Sequence, residues 1–377
     1  MIEFLEGNDA VVRAAVDAGC RFFAGYPITP ATSILTGLAR ELPRVGGVAV
    51  QAEDELASIG MCIGAAMAGL KVMTATSGPG MSLYSENIGL AIMGETPIVI
   101  VDVQRQGPAT GSATQGADGD IQFLRWGTSG GLPLFVLSPE NVKECYVLTI
   151  EAFNLAERFR TPVILASQKE IGLLRERIDL EEVRREAPPL VSRSLAPDDQ
   201  SFVPHGFQRP ADVPLFSPLG GPHVVRYTTS MHDQAGFLTK DPHIIAEMME
   251  HLQRKIIDYA PPLARYEFDL QEGADTLIVA YGVTARSARE AAALARKAGR
   301  RVSLLVLKTL YPVPEHAIEE ALGTLSADGR VLVPEMNLGQ YVEEVRKLAA
   351  PLAVVPVSKM NTDLVTPAEI LEGGGLL

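Results

Sequence analysis

The chain has 377 residues, 47% hydrophobic and 21% charged, which is a folded protein long enough for two cores. A formal charge of −13 argues against nucleic acid or an anionic membrane as partner, yet leaves room for a local basic pocket. No apolar run has the length to span a bilayer, and the first residues carry Glu3, Glu6 and Asp9 without a basic residue, so no secretory signal is read and a cytoplasmic location is expected.

From the N-terminus, 8–18 has helical period with Asn8 or Asp9 as cap. Residues 21–25 read as a buried strand and 32–42 as an amphipathic helix. Between them stands Tyr26-Pro27-Ile28-Thr29-Pro30, whose prolines restrict the backbone around Ile28 and Thr29. In an open parallel sheet this junction is a carboxyl edge, where ligands bind. A threonine hydroxyl beside a helix N-terminus suits a carboxylate or phosphate. A rigid turn without a ligand is an equal reading. Strand 48–52 then leads to helix 53–69, rich in alanine and glycine. Strand 72–76, helix 80–93 and strand 97–103 follow, the last mostly apolar as in a buried parallel sheet. Strand 134–137, helix 139–158 and strand 162–166 complete a doubly wound α/β domain with a parallel sheet.

Residues 175–186 mix charges of both signs, and the stretch from Pro188 to Pro222 is dense in proline. Such sequence suits neither a helix nor a strand interior, so it reads as an extended connector or arm. Helical period returns over 244–259. A second, smaller α/β unit is read from strands 276–281, 302–307, 330–334 and 352–357 and helices 285–298, 315–322 and 340–348. The predicted division is 1–187 for the first domain, 188–262 for the connector and 263–377 for the second.

Three kinds of side chain fall at carboxyl ends of predicted strands: Thr29, the pair Glu53 and Glu55, and Arg105. Crossover rules bring such ends to one sheet edge, so a crevice would hold a hydroxyl, a carboxylate and a guanidinium. Arginine suits a bidentate grip on a carboxylate, although a surface or ion-paired arginine is as common. A partly desolvated glutamate suits proton transfer, whereas acids at a helix start are also favoured by the macrodipole alone. The turn Ser77-Gly78-Pro79-Gly80 lacks the Lys-Ser/Thr of a P-loop and the spacing of a dinucleotide fingerprint. Close backbone approach to a ring or a neighbouring chain is the preferred reading. The polar loop 104–120 suits a lid or substrate loop, with a plain surface loop as the alternative. Cys20, Cys62 and Cys145 lack C-x-x-C spacing and read as buried thiols, so no metal set is expected on this chain. His223, His232 and His243 read as loop or surface residues.

These residues resemble those of the alpha subunits of 2-oxoacid:ferredoxin oxidoreductases. The likeness is carried by Gly25-Tyr26-Pro27-Ile28-Thr29-Pro30, Gln51-Ala52-Glu53-Asp54-Glu55 and Thr76-Ser77-Gly78-Pro79-Gly80. Leu307-Lys308-Thr309-Leu310-Tyr311-Pro312 and Pro334-Glu335-Met336-Asn337-Leu338-Gly339-Gln340 extend it to nearly the whole chain. The resemblance implies a pyrimidine-type thiamine diphosphate domain followed by a transketolase C-terminal-like domain. It implies a separate beta subunit that binds the diphosphate and Mg2+ and carries a [4Fe-4S] cluster, with the active site between subunits. It assigns Thr29 and Arg105 to the 2-oxoacid carboxylate. Glu55, rather than Glu53, is assigned to N1′ of the aminopyrimidine because it stands at the family's distance from the helix containing Gly60 and Gly64. Ser77, Gly78 and Gly80 fall to the cofactor. The implied reaction is decarboxylation of a 2-oxoacid, with electrons passing to ferredoxin and the acyl group to coenzyme A.

Gly107-Pro108-Ala109-Thr110-Gly111 is similar to the loop of the 2-oxoglutarate branch, with Ala109 as a departure, and the distal carboxylate falls to Arg125 or to the beta subunit. Branched-chain 2-oxoacids and then pyruvate are the alternative substrates. A non-catalytic α/β ligand-binding or assembly subunit, and a thiamine enzyme that reduces NAD or makes no redox change, are the competing readings.

Overall fold

A computed structural model describes residues 2–376. In chain order its strands are β1 (Ile2–Glu6), β2 (Phe22–Gly25), β3 (Val48–Gln51), β4 (Val72–Thr76), β5 (Ile98–Gln104), β6 (Phe135–Leu137) and β7 (Pro162–Gln168). Then come β8 (Arg175–Asp179), β9 (Tyr266–Asp269), β10 (Ala274–Tyr281), β11 (Val302–Leu307), β12 (Thr309–Tyr311), β13 (Leu325–Glu335) and β14 (Ala353–Ser358).

The first sheet has seven strands in the order β12-β6-β7-β5-β4-β2-β3, parallel except for β12. β5 and β7 are buried along their whole length, which explains their unbroken apolar runs: helices cover both faces. The second sheet has five strands, β14-β13-β10-β11-β9, with β9 antiparallel. β1 and β8 form a separate antiparallel ribbon. Among the described residues, no helix is long and apolar enough to cross a membrane.

The chain leaves β2 for β3 on one side and returns past β2 to β4 on the other, so the topological switch lies between β2 and β4. There the strands pair only through Phe22↔Val72 and Phe23↔Met73, whereas β2 pairs with β3 to its last residue, Gly25. The carboxyl ends of β2 and β4 therefore part, and the turns after them line the gap.

Several elements have no counterpart in the sequence reading, among them β1, β8, β9 and β12. Residues 175–186 form β8 and the helix Leu180–Glu186, although only charge is apparent locally; the strand exists because β1 pairs with it. β12 belongs by sequence to the second half, yet it extends the first sheet beside β6 and joins the two halves. Lys308, just before it, faces Glu140, Glu144 and Glu267. The Leu307–Pro312 motif thus belongs to a domain seam, where a cavity of about 920 Å³ opens between these paired charges.

Residues 187–241 carry no helix or named strand and lie over the first domain. A wholly buried ionic cluster holds them. Glu95, at φ 47°, accepts from His205 Nδ1 at 2.9 Å, His251 Nε2 at 2.8 Å and Lys255 Nζ at 2.8 Å. The buried Arg160 donates to the main-chain carbonyls of Pro204, Pro214 and Leu215. His232 also departs from the surface reading: it is fully buried, with its ring nitrogens on the carbonyls of Asp233 and Met93. Cys20, Cys62 and Cys145 are buried free thiols, and burial pushes Cys20 up to about 12.

Candidate active site

Arg105 follows β5 directly. It is 6% exposed and forms no ion pair among the described residues. Its Nη1 donates to the carbonyl of Thr29 at 2.6 Å and its Nη2 to that of Thr110 at 3.0 Å. Its Nε–H is buried and has no partner. A guanidinium fixed by two main-chain carbonyls, with a donor left over, is a preformed anion anchor. Thr29 itself is exposed, at the lip of the gap after β2.

Glu55 opens the helix Glu55–Met67. Asp54 caps that helix by accepting from Ala57 N at 2.7 Å. The cap separates the two glutamates: Glu53 lies outside the helix and is exposed, while Glu55 turns inward and is 7% exposed.

The turn after β4 opens the helix Gly78–Met93, with Ser77 at its cap position. A Cβ on Gly80 would meet the Glu55 side chain, at 2.9 Å from Cγ and 3.0 Å from Oε1, as well as the Thr76 hydroxyl. A Cβ on Gly78 would meet the Asp120 carboxyl oxygens at 2.8 and 2.9 Å. The sequence reading attributes these glycines to a ring or a neighbouring chain. In the structure, two carboxyls of the same chain occupy that space. The Ser77 hydroxyl is buried without a partner. Arg105 with Thr29, Asp120 with Gly78, and Gly80 with Glu55 thus make a line of paired contacts across the ends of β5, β4, β2 and β3.

Sequence reasoning missed Asp102 and Asp120. Asp102 is wholly buried within β5, and neither of its oxygens has a hydrogen-bond partner among the described residues. Burial, reinforced for Asp102 by the neighbouring Asp120 charge, pushes both carboxyls up. The available signal was a single acid inside an otherwise apolar strand, Ile98-Val99-Ile100-Val101-Asp102-Val103.

The second domain reaches this region through Pro334–Gln340. Asp118 N donates to the Met336 carbonyl at 3.1 Å, and Asn337 Nδ2 donates to Asp118 Oδ1 at 2.9 Å. Gln340 Nε2 donates to the Gly119 carbonyl, and Gln340 Oε1 accepts from Gln122 N at 2.9 Å. Asp118 also accepts from Gln168 Nε2 at 2.9 Å. Arg125 does not join the line. It stacks on Trp126 at 3.9 Å, donates to the Leu132 carbonyl and lines a separate cavity with Tyr311. Among the described residues, no group of three or more His, Cys, Asp or Glu is placed to hold a metal ion.

Residues 13–250 match the family described as pyruvate flavodoxin/ferredoxin oxidoreductase, thiamine diP-bdg, and residues 274–370 match pyruvate:ferredoxin oxidoreductase core domain II. The 2-oxoglutarate synthase subunit KorA of Methanothermobacter thermautotrophicus is 40% identical over 374 residues, covering 98% of this chain and 96% of that protein. The ketoisovalerate oxidoreductase subunit VorB of the same organism is 35% identical over 372 residues, covering 98% of this chain and 96% of that protein. A solved 2-oxoglutarate:ferredoxin oxidoreductase from Magnetococcus marinus superposes with a TM-score of 0.91 at 31% identity. That match covers 99% of this chain and 65% of the solved one, so this chain spans about two thirds of its length. A split-gene transketolase, at 15% identity and a TM-score of 0.54, shares the fold.

Proposed function

The chain belongs to the 2-oxoacid:ferredoxin oxidoreductase family, and from that premise we propose that it is the alpha subunit of a coenzyme A-dependent 2-oxoglutarate:ferredoxin oxidoreductase. The reading extends to succinyl-CoA as product, in a reaction that is reversible, and to activity only with a beta subunit. That partner would carry the diphosphate, Mg2+ and a [4Fe-4S] cluster. The division at 1–187, 188–262 and 263–377 and a cytoplasmic location are parts of the same proposal.

The observation that carries the site is the buried Arg105 with its free Nε–H. Held by the Thr29 and Thr110 carbonyls, it makes no ion pair or hydrogen bond with a carboxylate among the described residues and suits that of a 2-oxoacid. The Thr29 hydroxyl, at the exposed lip, would add a donor. The residues also fit thiamine diphosphate. A buried Glu55 carboxyl stands against the Gly80 turn, and the Ser77 hydroxyl beside it is unpartnered. When bound, the cofactor supplies the carbon nucleophile and electron sink that a 2-oxoacid needs to lose CO2. Glu55 would hold a proton at N1′ of the aminopyrimidine, and Ser77, Gly78 and Gly80 would line the cofactor on the side where Glu55 packs against the turn. The parting of β2 and β4 leaves the line open at the sheet edge, where a second subunit would close it and exclude water.

The substrate rests on the 40% identity to a 2-oxoglutarate synthase subunit against 35% to a ketoisovalerate one. The test is co-expression with the beta subunit and a substrate panel. Dye or ferredoxin reduction that needs coenzyme A and prefers 2-oxoglutarate is expected. A preference for branched-chain 2-oxoacids or pyruvate would move the substrate. Tight binding of a small acid by the full chain, with no turnover alongside beta, would favour a non-catalytic subunit.

A further inference from the structure

Asp102 and Asp120 are absent from the roles above, yet between them three carboxyl oxygens are buried without a hydrogen-bond partner beside the end of β5. Asp102 is wholly buried, and neither of its oxygens receives a donor from any described residue. Oδ2 of Asp120 is likewise buried without a donor. Placement brings the two together: Asp102 is the register partner of Thr76 on β4, the Asp120 carboxyl lies against Gly78 two residues further on, and the Asp120 N–H donates to Gln104 Oε1 at 3.2 Å, two residues along β5 from Asp102. Two buried carboxyls brought side by side without donors repel each other unless one proton lies between them.

The surroundings offer little else to relieve that repulsion. From β5, Arg105 faces Asp120 and lowers its proton affinity. From the helix Glu55–Met67, Glu55 reaches the same turn, at Gly80. From the same loop, Asp118 adds a further acid that burial and Glu335 of the second domain push up. The helix Gly78–Met93 contributes Ser77 and Gly78, and β4 contributes Thr76, none of which titrates. Arg105 is therefore the cation beside the pair, and it is also the anchor for the incoming anion.

We propose that Asp102 and Asp120 share one proton and act together as positioning residues that set the charge of the Arg105 anion site. With the proton in place the pair carries one negative charge, which balances the guanidinium and leaves its Nε–H to the substrate carboxylate. When the proton leaves to solvent, a second negative charge appears beside the anchor and weakens its hold on an anion. The role concerns binding of the 2-oxoacid, so it rests on the proposed function.

The test uses the chain co-expressed with its partner and 2-oxoglutarate as the probe. KM should rise with pH by at least about tenfold through the pair's upper ionisation, as expected for one charge added a few ångströms from the guanidinium. Asp102→Asn, the isostere of the protonated acid, should flatten that rise. A purely structural role would lower yield or kcat at every pH and leave the KM profile in place. Independently of turnover, the infrared spectrum of the full chain at neutral pH should show a protonated-carboxyl carbonyl stretch that Asp102→Asn removes. Asp120→Asn serves the same comparison if Asp102→Asn does not fold. Absence of that band in the unsubstituted chain, or an Asp102→Asn profile that still rises with pH, overturns the proposal. A normal band with no turnover of 2-oxoglutarate would instead count against the substrate reading.

Discussion

Arg105 Nη1 donates to the main-chain carbonyl of Thr29 at 2.6 Å, tying the end of β5 to the end of β2 across β4. One side chain thus fixes the lip of the gap and presents its remaining donor to the interior. Arg105→Ala should raise KM for the 2-oxoacid by about 10- to 100-fold, the equivalent of one or two charge-assisted hydrogen bonds. Arg105→Lys should recover little of the loss, because an ammonium cannot span two carbonyls and keep a third directed donor. Steady-state kinetics of the assembled complex decides, and unchanged KM in both variants would remove Arg105 from the site.

Glu55→Gln should lower kcat by about 10²- to 10⁴-fold, the scale of a positioned proton transfer. The amide occupies the same space against Gly80 and Thr76, so the thermal midpoint should hold near that of the unsubstituted chain. Turnover and melting measured on one preparation separate the two effects. Glu53→Gln is the matched control, since Glu53 is exposed and lies outside the helix.

Gly80 and Gly60 should respond to alanine with opposite signs. At Gly80 the added methyl collides with the Thr76 hydroxyl and the Glu55 side chain, so a loss of about 1–3 kcal/mol is expected for overpacking. At Gly60 nothing lies within 4 Å of the new Cβ, and a helix interior gains about 0.5–1 kcal/mol from alanine. If the partner subunit seats on that face, Gly60→Ala should weaken assembly while stabilising the isolated chain. Denaturant titration followed by sedimentation of the mixed subunits reads both.

These contrasts mark what the sequence made legible. The ends of β2, β4 and β5 were readable because buried parallel strands are largely apolar runs, with prolines and glycines after β2 and β4; the edge strand β3 was readable from the alanine- and glycine-rich helix that follows it. Thr29, Glu55 and Arg105 were singled out because they stand at those ends. Asp102 was passed over because a lone acid in a strand shows no partner until the fold brings Asp120 to it. β8, β12 and the Glu95 cluster were hidden because each depends on a contact between residues far apart in the chain. Local pattern carries no information about such pairings.

Glu95 should make the docking of 187–241 sensitive to acid. Burial pushes its carboxyl up, but Lys255 and the hydrogen bonds from His205 and His251 hold it well below the usual carboxylate range. A carboxylate depressed on folding contributes stability that is fully present above its unfolded pKa of about 4.3 and is lost as pH falls through the folded value. His205, pushed down by burial, adds to the loss with the same sign. Glu95→Gln should therefore cost about 3–5 kcal/mol at neutral pH, because it leaves Lys255 and Arg160 buried without an anion. The gap from the unsubstituted chain should narrow below about pH 4. Urea unfolding at several pH values measures it, and a constant gap would show that Glu95 is not ionised in the fold.

Asn337 and Gln340 place the second domain in control of the loop that carries Asp120. Asn337 Nδ2 holds Asp118 Oδ1 at 2.9 Å, and Gln340 bridges the Gly119 carbonyl and the Gln122 N–H, so the residues on both sides of Asp120 hang from the Pro334–Gln340 motif. Asn337 is itself fixed, since its Oδ1 accepts from the N–H groups of Gly339 and Gln340 at 2.8 Å and its Nδ2 donates to Glu335 at 2.9 Å. Gln340→Ala removes only the bridge to the loop and leaves the Asn337 anchor, so it should raise KM a few-fold with little change in melting. Asn337→Ala also leaves Asp118 and Glu335, both buried, without their shared donor, so it should lower the melting midpoint as well as raise KM. If the second domain served only to cover the first, both variants would lose stability and keep their KM; a KM that rises in Gln340→Ala without a change in melting is what distinguishes a hold on the loop from a cover.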